Sequence, residues 1–111
     1  MDNIFVIPTR ITESTLIHSG PNFLMDIIIG SDGTNNPTVA CYNEADDSKT
    51  ATARVIPSQT YDAIALGLNG IVLQFARFNN TGLYVEVSNL GSGEIVVGSR
   101  LAGTLSYYSF R

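Results

Sequence analysis

Two side chains of this sequence have the chemistry of a nucleophile and a base, and each type occurs only once. Cys41 carries a thiol and His18 an imidazole, the groups that form a Cys–His catalytic dyad. An unpaired cysteine in a β-forming run is more often a small buried hydrophobe. His18 precedes the turn Gly20-Pro21, where a solvated side chain at a strand end is the usual arrangement. The pattern therefore favours a structural interpretation of both residues, and a single cysteine predicts no internal disulfide.

Oxygen donors are dense in only two stretches, which are the candidate sites for a cation or a glycan. One stretch contains Asp32, Asn35 and Asn36, and the next contains Glu44, Asp46 and Asp47. Calcium takes about six to eight oxygen ligands, and neighbouring loops of a β-sandwich can supply them. The spacing of the first stretch matches no calcium-loop pattern, and Asp and Asn are common turn formers. Turn chemistry is the favoured interpretation, and cation or glycan binding by residues 31–47 stays open.

The remaining signals for catalysis are weak. Asp26 and Glu86 are the strand-borne candidates for a carboxylate pair, and glycoside cleavage needs two carboxyl groups about 5–9 Å apart in a cleft. Gly91-Ser92-Gly93 is an isolated Gly-x-Gly between two strands, with no helix to complete a phosphate site. Five tyrosines could stack on sugars, but tyrosines on strand faces more often pack across strands. We therefore predict a non-enzymatic protein with no cofactor and no metal.

The composition indicates one folded domain that contacts other proteins. The chain has 111 residues, of which 44% are hydrophobic and only 14% charged, against the ~25% charged residues of an average protein. Disordered chains have the opposite bias, and weakly charged surfaces are common at protein interfaces. The net charge is −4 and the six basic residues are scattered, which argues against a nucleic-acid partner. No apolar run is long enough for a membrane span, and the N-terminus lacks the features of a signal peptide.

The stretch Gly20–Asn43 predicts a β-hairpin. Residues 22–30 are rich in β-branched and aromatic side chains, as expected for a strand. The loop Ser31–Pro37 contains Asp-Gly and Asn-Asn-Pro, which are typical of turns. Residues 38–43 return as the partner strand, with alternate residues on opposite faces.

A second strand–turn pattern covers Gly70–Arg100. Strands are predicted over residues 70–78, Leu83–Ser88 and Glu94–Arg100, and short turns separate them. Gly82 stands where a hairpin turn commonly needs positive φ. The three strands are predicted to form a meander.

About eight short strands with regular turns predict an all-β fold, an antiparallel β-sandwich of jelly-roll-like type, with a partly open barrel as the alternative. The predicted divisions are an N-terminal arm at residues 1–10, the sandwich at 11–100, and an aromatic C-terminal tail at 101–111. Within the arm, the apolar run before Pro8 is either an edge strand or a segment lying on a neighbour. The tail is expected to form an extra strand or to contact another subunit.

Several motifs resemble those of a family of small β-sandwich virion structural proteins found in tailed phages and prophages. They are the Gly-Pro strand start at 20–21, the Ser-Asp-Gly turn at 31–33, the Thr-Val-x-x-Tyr-Asn strand at 38–43 and the Gly-Leu-Tyr-Val run at 82–85. The resemblance covers about residues 15–100. These motifs are turn and core residues, so they mark the fold more than the role.

The resemblance implies a minor head, capsid decoration (cement) or tail component located in the virion and made in the host cytoplasm. Its partner would be the phage major capsid protein or another virion protein, and it would self-associate as a dimer or trimer. The alternatives are a tail, connector or spike component and a carbohydrate-binding module. The predicted interface lies in the terminal segments: Ile4, Phe5, Val6, Ile7, Leu101, Leu105, Tyr107, Tyr108 and Phe110.

Overall fold

The computed structural model describes residues 6–62 and 70–102, with the backbone alone at Phe75. These residues form eight strands and one short 3-10 turn at Ala51–Ala53. The strands are β1 (Ile7–Ile11), β2 (Thr15–His18), β3 (Asn22–Gly30), β4 (Thr38–Tyr42), β5 (Arg54–Thr60), β6 (Ile71–Asn79), β7 (Leu83–Ser88) and β8 (Glu94–Leu101).

The strands form two four-stranded antiparallel sheets. Sheet A has the order β1-β8-β3-β6, and sheet B has the order β2-β7-β4-β5. First pairs with last, second with seventh, third with sixth and fourth with fifth. This nesting is that of a long hairpin rolled into two sheets, which is the jelly-roll topology. The predicted jelly-roll-like β-sandwich is confirmed.

The predicted hairpin at Gly20–Asn43 is wrong. Strand β3 lies in sheet A and β4 in sheet B, so residues 31–37 cross from one sheet to the other. On its two edges β3 pairs instead with β8 and β6, far along the chain. Turn residues show where the chain reverses direction, but they do not show which sheet it enters next.

The predicted meander is wrong for the same reason. Strands β6 and β8 belong to sheet A, whereas β7 between them belongs to sheet B. Among the described strands, β4 and β5 are the only sequence neighbours that pair directly. Gly82 has no positive φ, unlike Gly33 and Gly91. Its role is steric, because an added Cβ would lie 2.8 Å from the His18 carbonyl oxygen and closer still to that of Glu44.

The core lies between the two sheets. Sheet A contributes Leu24, Ile27, Ile29, Ile95 and Val97, while sheet B contributes Val39, Cys41, Leu83 and Val85. The register of β3 shifts between Leu24 and Asp26, which is the mark of a β-bulge. The extra residue keeps both Leu24 and Ile27 in the core although they are three positions apart, and it lets the carboxylate of Asp26 face outward over Gly98.

Two of the predicted segment boundaries fall inside strands. Residues 7–10 of the predicted arm belong to β1, whose pairing begins with Ile7 opposite Ser99 and includes Pro8 opposite Gly98. Pro8 is tolerated there because β1 is an edge strand. Leu101 of the predicted tail is the last residue of β8. The sequence of residues 58–70 predicts a loop with one helical turn. Residues 58–60 instead belong to β5, and residues 63–69 lie outside the described part of the chain.

Candidate interaction surface

The outer face of sheet A carries exposed apolar side chains at both ends of the strands. At one end Val96, Ile28 and Val72 stand side by side on β8, β3 and β6. The side chains of Ile28 and Val72 are 41% and 56% exposed. The core of a sandwich needs only the inner faces of its sheets, so an apolar row on an outer face indicates a contact surface.

The second apolar row, at the other end of sheet A, is aromatic. Phe23 pairs with Phe78 on β6 and with Arg100 on β8. The two phenyl centroids are 5.1 Å apart, and the guanidinium carbon of Arg100 lies 4.2 Å from the Phe23 centroid. Phe78 is still 51% exposed. Offset aromatic pairs and stacked arginines are common anchors of protein interfaces.

The Arg100 side chain also carries an unsatisfied donor. Its Nε atom is buried and has no hydrogen-bond partner among the described residues. A buried donor without an acceptor costs free energy. Because this atom is buried, a docking partner would contact the row through the exposed Phe78 ring and not through Nε.

The predicted terminal segments join sheet A at one corner. Strand β1 begins at Ile7 opposite Ser99, and β8 ends two residues later at Leu101. Val6, Ile7 and Leu101 are 39%, 53% and 41% exposed. We call these three residues the terminal corner. The three predicted interface residues that the structure describes therefore lie at the same end of the β1–β8 pair, with Val6 beside Gly98 on the outer face of sheet A.

The other predicted interface residues lie outside the described part of the chain. They are Ile4, Phe5, Leu105, Tyr107, Tyr108 and Phe110. The aromatic row was not predicted as a site, although Phe23, Phe78 and Arg100 were all visible in the sequence. Their proximity depends on pairing between strands more than 50 residues apart, which no local pattern reports.

The outer face of sheet B is different, because its aromatic residues are already buried. Tyr42 and Tyr84 are paired across β4 and β7 and are 2% and 8% exposed. The Tyr42 hydroxyl donates to Glu86 at 2.9 Å, and the Arg54 guanidinium lies over the Tyr42 ring. These tyrosines pack across strands, so they are not available for stacking on a sugar.

Asp32 joins two loops at one end of the sandwich. Its carboxylate accepts hydrogen bonds from the backbone N–H groups of Thr34, Asn35 and Ser92, and from the Asn35 side-chain amide. These bonds hold the pKa of Asp32 well below its usual value of 3.8. Gly91 is required beside it because a Cβ there would collide with the Asp32 carboxylate. Turn chemistry is therefore confirmed for this loop.

Asp32→Asn is expected to destabilise the protein at pH 7 and to have a smaller effect near pH 2. The folded-state pKa lies below the unfolded value, so the contribution of Asp32 to stability is present above the unfolded pKa of 3.8. That contribution declines as the pH falls below 3.8 towards the folded pKa. Urea unfolding of both proteins at pH 7 and pH 2 measures the difference, and a difference that does not change with pH would contradict the assignment.

The second acidic stretch also makes local turn bonds. The Glu44 carboxylate accepts from the Thr50 N–H, and the Asp46 carboxylate accepts from the Ser48 N–H. The bonds from Ser48 lower the pKa of Asp46. Among residues 6–62 and 70–102, no group of three or more His, Cys, Asp or Glu side chains is arranged to hold a metal ion.

Cys41 and His18 do not form a dyad. Cys41 is fully buried in the core, and burial raises the pKa of its thiol to about 12. His18 instead shares a 2.8 Å hydrogen bond between its Nε2 and the Ser99 hydroxyl, which links sheet B to sheet A. The prediction of a buried, hydrophobe-like cysteine is confirmed. The prediction that His18 is solvated is wrong, because the bond to Ser99 holds the ring partly buried, and burial lowers its pKa.

Ser99 and His18 resemble a nucleophile–base pair that sequence reasoning missed. However, Ser99 is 0% exposed, so its hydroxyl is inaccessible to a substrate. Asp26 and Glu86 also fail as a catalytic pair because they lie on the outer faces of opposite sheets.

Comparison with known proteins leaves these surfaces as the main guide to function. No family model, curated protein or solved structure matches the chain. No helix among the described residues is long and apolar enough to cross a membrane.

Proposed function

We propose that this protein is a non-enzymatic virion structural protein, a capsid decoration (cement) protein bound to the outside of a phage head. The observation that carries the proposal is the terminal corner, where Val6, Ile7 and Leu101 are all exposed at the same end of the β1–β8 pair. Viral capsid proteins and lectins are recurrent users of the jelly roll, so the fold is compatible with this role. The motif resemblance to phage virion proteins points to the capsid rather than to a glycan.

The chemistry of the loops also favours a protein partner over a glycan or a cation. In the first loop, four N–H donors from the chain itself already occupy the Asp32 carboxylate. The exposed surface at the terminal corner and on the outer face of sheet A is instead apolar and aromatic. Such surfaces bind other proteins by burial from water.

The mechanism we propose is mechanical. Each copy contacts the major capsid protein through the terminal corner and bridges neighbouring capsomers. A single contact through the three side chains of the terminal corner is weak. Many copies on one shell act together, because linked binding events raise the effective affinity. The shell is then harder to rupture by heat or by internal pressure.

The test is binding of purified protein to heads that lack it. Wild-type protein is expected to sediment with the heads, and the variant Ile7→Glu with Leu101→Glu is expected to bind at least about 100-fold more weakly, because each change places a charge in a desolvated contact. Leu16→Glu is the matched control. Leu16 is 40% exposed, like Leu101 at 41%, but lies on sheet B, away from the corner.

Equal binding by the corner variant and wild type would contradict the proposed contact. Binding only to isolated tails or to the portal vertex would contradict the decoration role and favour the tail or connector alternative. Circular dichroism of each variant verifies that the sandwich is intact.

A further inference from the structure

We propose that two copies of this chain pair along β6, so that sheet A continues across a twofold axis as an eight-stranded sheet. This inference concerns a second surface and does not depend on binding to a phage head. It begins from the four edge strands of the sandwich, which are β1 and β6 in sheet A and β2 and β5 in sheet B.

Three of the four edges carry a feature that prevents pairing with another strand. Strand β1 contains Pro8 and β5 contains Pro57, and proline cannot donate to a β ladder. Strand β2 has only four residues, and its register shifts between Leu16 and His18. Short strands, irregular strands and prolines are the usual protection of a sheet edge.

Strand β6 is the longest of the four edges and carries no proline. It has nine residues, Ile71–Asn79, and also lacks glycine and lysine. Its pairing with β3 covers seven residue pairs, with one register shift where two residues of β6, at 75 and 76, face Met25. Among the described strands, none pairs with the opposite edge of β6. A long edge without proline or lysine is a template for another strand.

The side chains that β6 places on the outer face of sheet A are suited to pairing with a second copy of the same strand. They are all exposed, and in order along the strand they are Val72, Gln74, Ala76 and Phe78. Antiparallel pairing centred on residue 75 uses all nine residues. It places Val72 opposite Phe78 of the second copy and Gln74 opposite Ala76. Aliphatic–aromatic pairs across strands are favourable, and a twofold axis forms this one twice.

Charge and surface continuity support the same arrangement. Arg77 is the only charged residue of β6, and this register places it opposite Leu73 rather than opposite the other Arg77. Val72 and Phe78 also extend the apolar rows that begin at Ile28 and Phe23. Pairing therefore joins the rows of the two copies end to end, as two longer apolar rows, without opposing like charges.

The experiment compares two double variants by sedimentation equilibrium over a range of concentrations. Val72→Glu with Phe78→Glu places carboxylates opposite each other twice across the axis. It is expected to raise the dissociation constant of the dimer at least about 100-fold. Val72→Lys with Phe78→Glu differs only in the charge at position 72 and opposes Lys to Glu. It is expected to stay within about tenfold of wild type. Within one strand the two positions are about 20 Å apart, so the new charges cannot pair inside one copy.

Ile7→Glu is the control on the other edge of sheet A and is expected to leave the dimer unchanged. The proposal is overturned if wild-type protein is monomeric at every concentration, if the Glu–Glu variant remains dimeric, or if both double variants dissociate equally. Because Ile7 belongs to the terminal corner, loss of head binding and loss of pairing along β6 are separate results. Either proposal can fail while the other holds.

Discussion

Gly82→Ala is expected to lower the free energy of unfolding by about 3 kcal/mol, the upper end of the range for overpacked sites. Gly82 lies where three segments meet: the end of β2, the chain after β4 and the start of β7. A Cβ at this position would lie 2.8 Å from the carbonyl oxygen of His18 and closer still to that of Glu44. Both are backbone atoms, so neither can move aside by changing a rotamer.

The backbone at Gly82 is also held by Asn43. The Asn43 Oδ1 accepts hydrogen bonds from the N–H groups of Thr81 and Gly82. A shift of this segment would relieve the collision but would lengthen these hydrogen bonds. The junction is therefore destabilised whether the segment stays in place or moves.

Gly20→Ala is the matched control for this prediction. A Cβ at Gly20 has no atom within 4 Å, and its φ is not in the positive range. Its effect is expected to be below about 0.5 kcal/mol, as for ordinary surface substitutions. Urea unfolding followed by circular dichroism measures both variants. Equal stability of the two would contradict the packing around Gly82.

Leu24→Ala is expected to lower the free energy of unfolding by about 3–4 kcal/mol, within the range measured for buried leucines. Leu24 is 0% exposed and lies in the core just before the bulge of β3. Neighbouring strands β8 and β6 pair with it on both sides. The strand therefore has little freedom to collapse into the cavity that the substitution leaves.

Leu16→Ala removes the same atoms from an exposed position. Leu16 is 40% exposed on the edge strand β2, so its loss is expected to cost less than about 1 kcal/mol. The comparison is made by urea unfolding under identical conditions. A cost at Leu16 equal to that at Leu24 would contradict the assignment of inner and outer faces.

The strands and their faces could be predicted from the sequence, but the way the strands pair could not. The alternation of Leu83, Val85 and Val87 with polar neighbours is local, and the structure places Leu83 and Val85 in the core as expected. The sheet that each strand joins depends on contacts across the whole chain. Turns such as residues 31–37 reverse the chain equally well within one sheet or between two.

The candidate sites also combine contacts between sequence neighbours, which were predictable, with contacts between distant residues, which were not. The turn chemistry of Asp32 was predictable because its hydrogen-bond partners at Thr34 and Asn35 are neighbours in sequence. Its bond to Ser92 was not, since that residue lies 60 positions away. The hydrogen bond between His18 and Ser99 was missed for the same reason.

The two edges of sheet A are proposed to have different roles. The terminal corner, at one edge of sheet A, is proposed to contact the capsid, and β6 at the other edge is proposed to join two copies. A twofold pair would then carry two corners facing away from its centre, which suits a protein that bridges neighbouring capsomers.

The measurement that tests the central claim most directly is the temperature at which phage heads rupture with and without this protein. Heads that lack it are expected to break at a lower temperature, and addition of purified wild-type protein is expected to restore the higher one. The variant Ile7→Glu with Leu101→Glu is expected to restore nothing. Identical rupture temperatures with and without the wild-type protein would contradict its role as a capsid decoration protein.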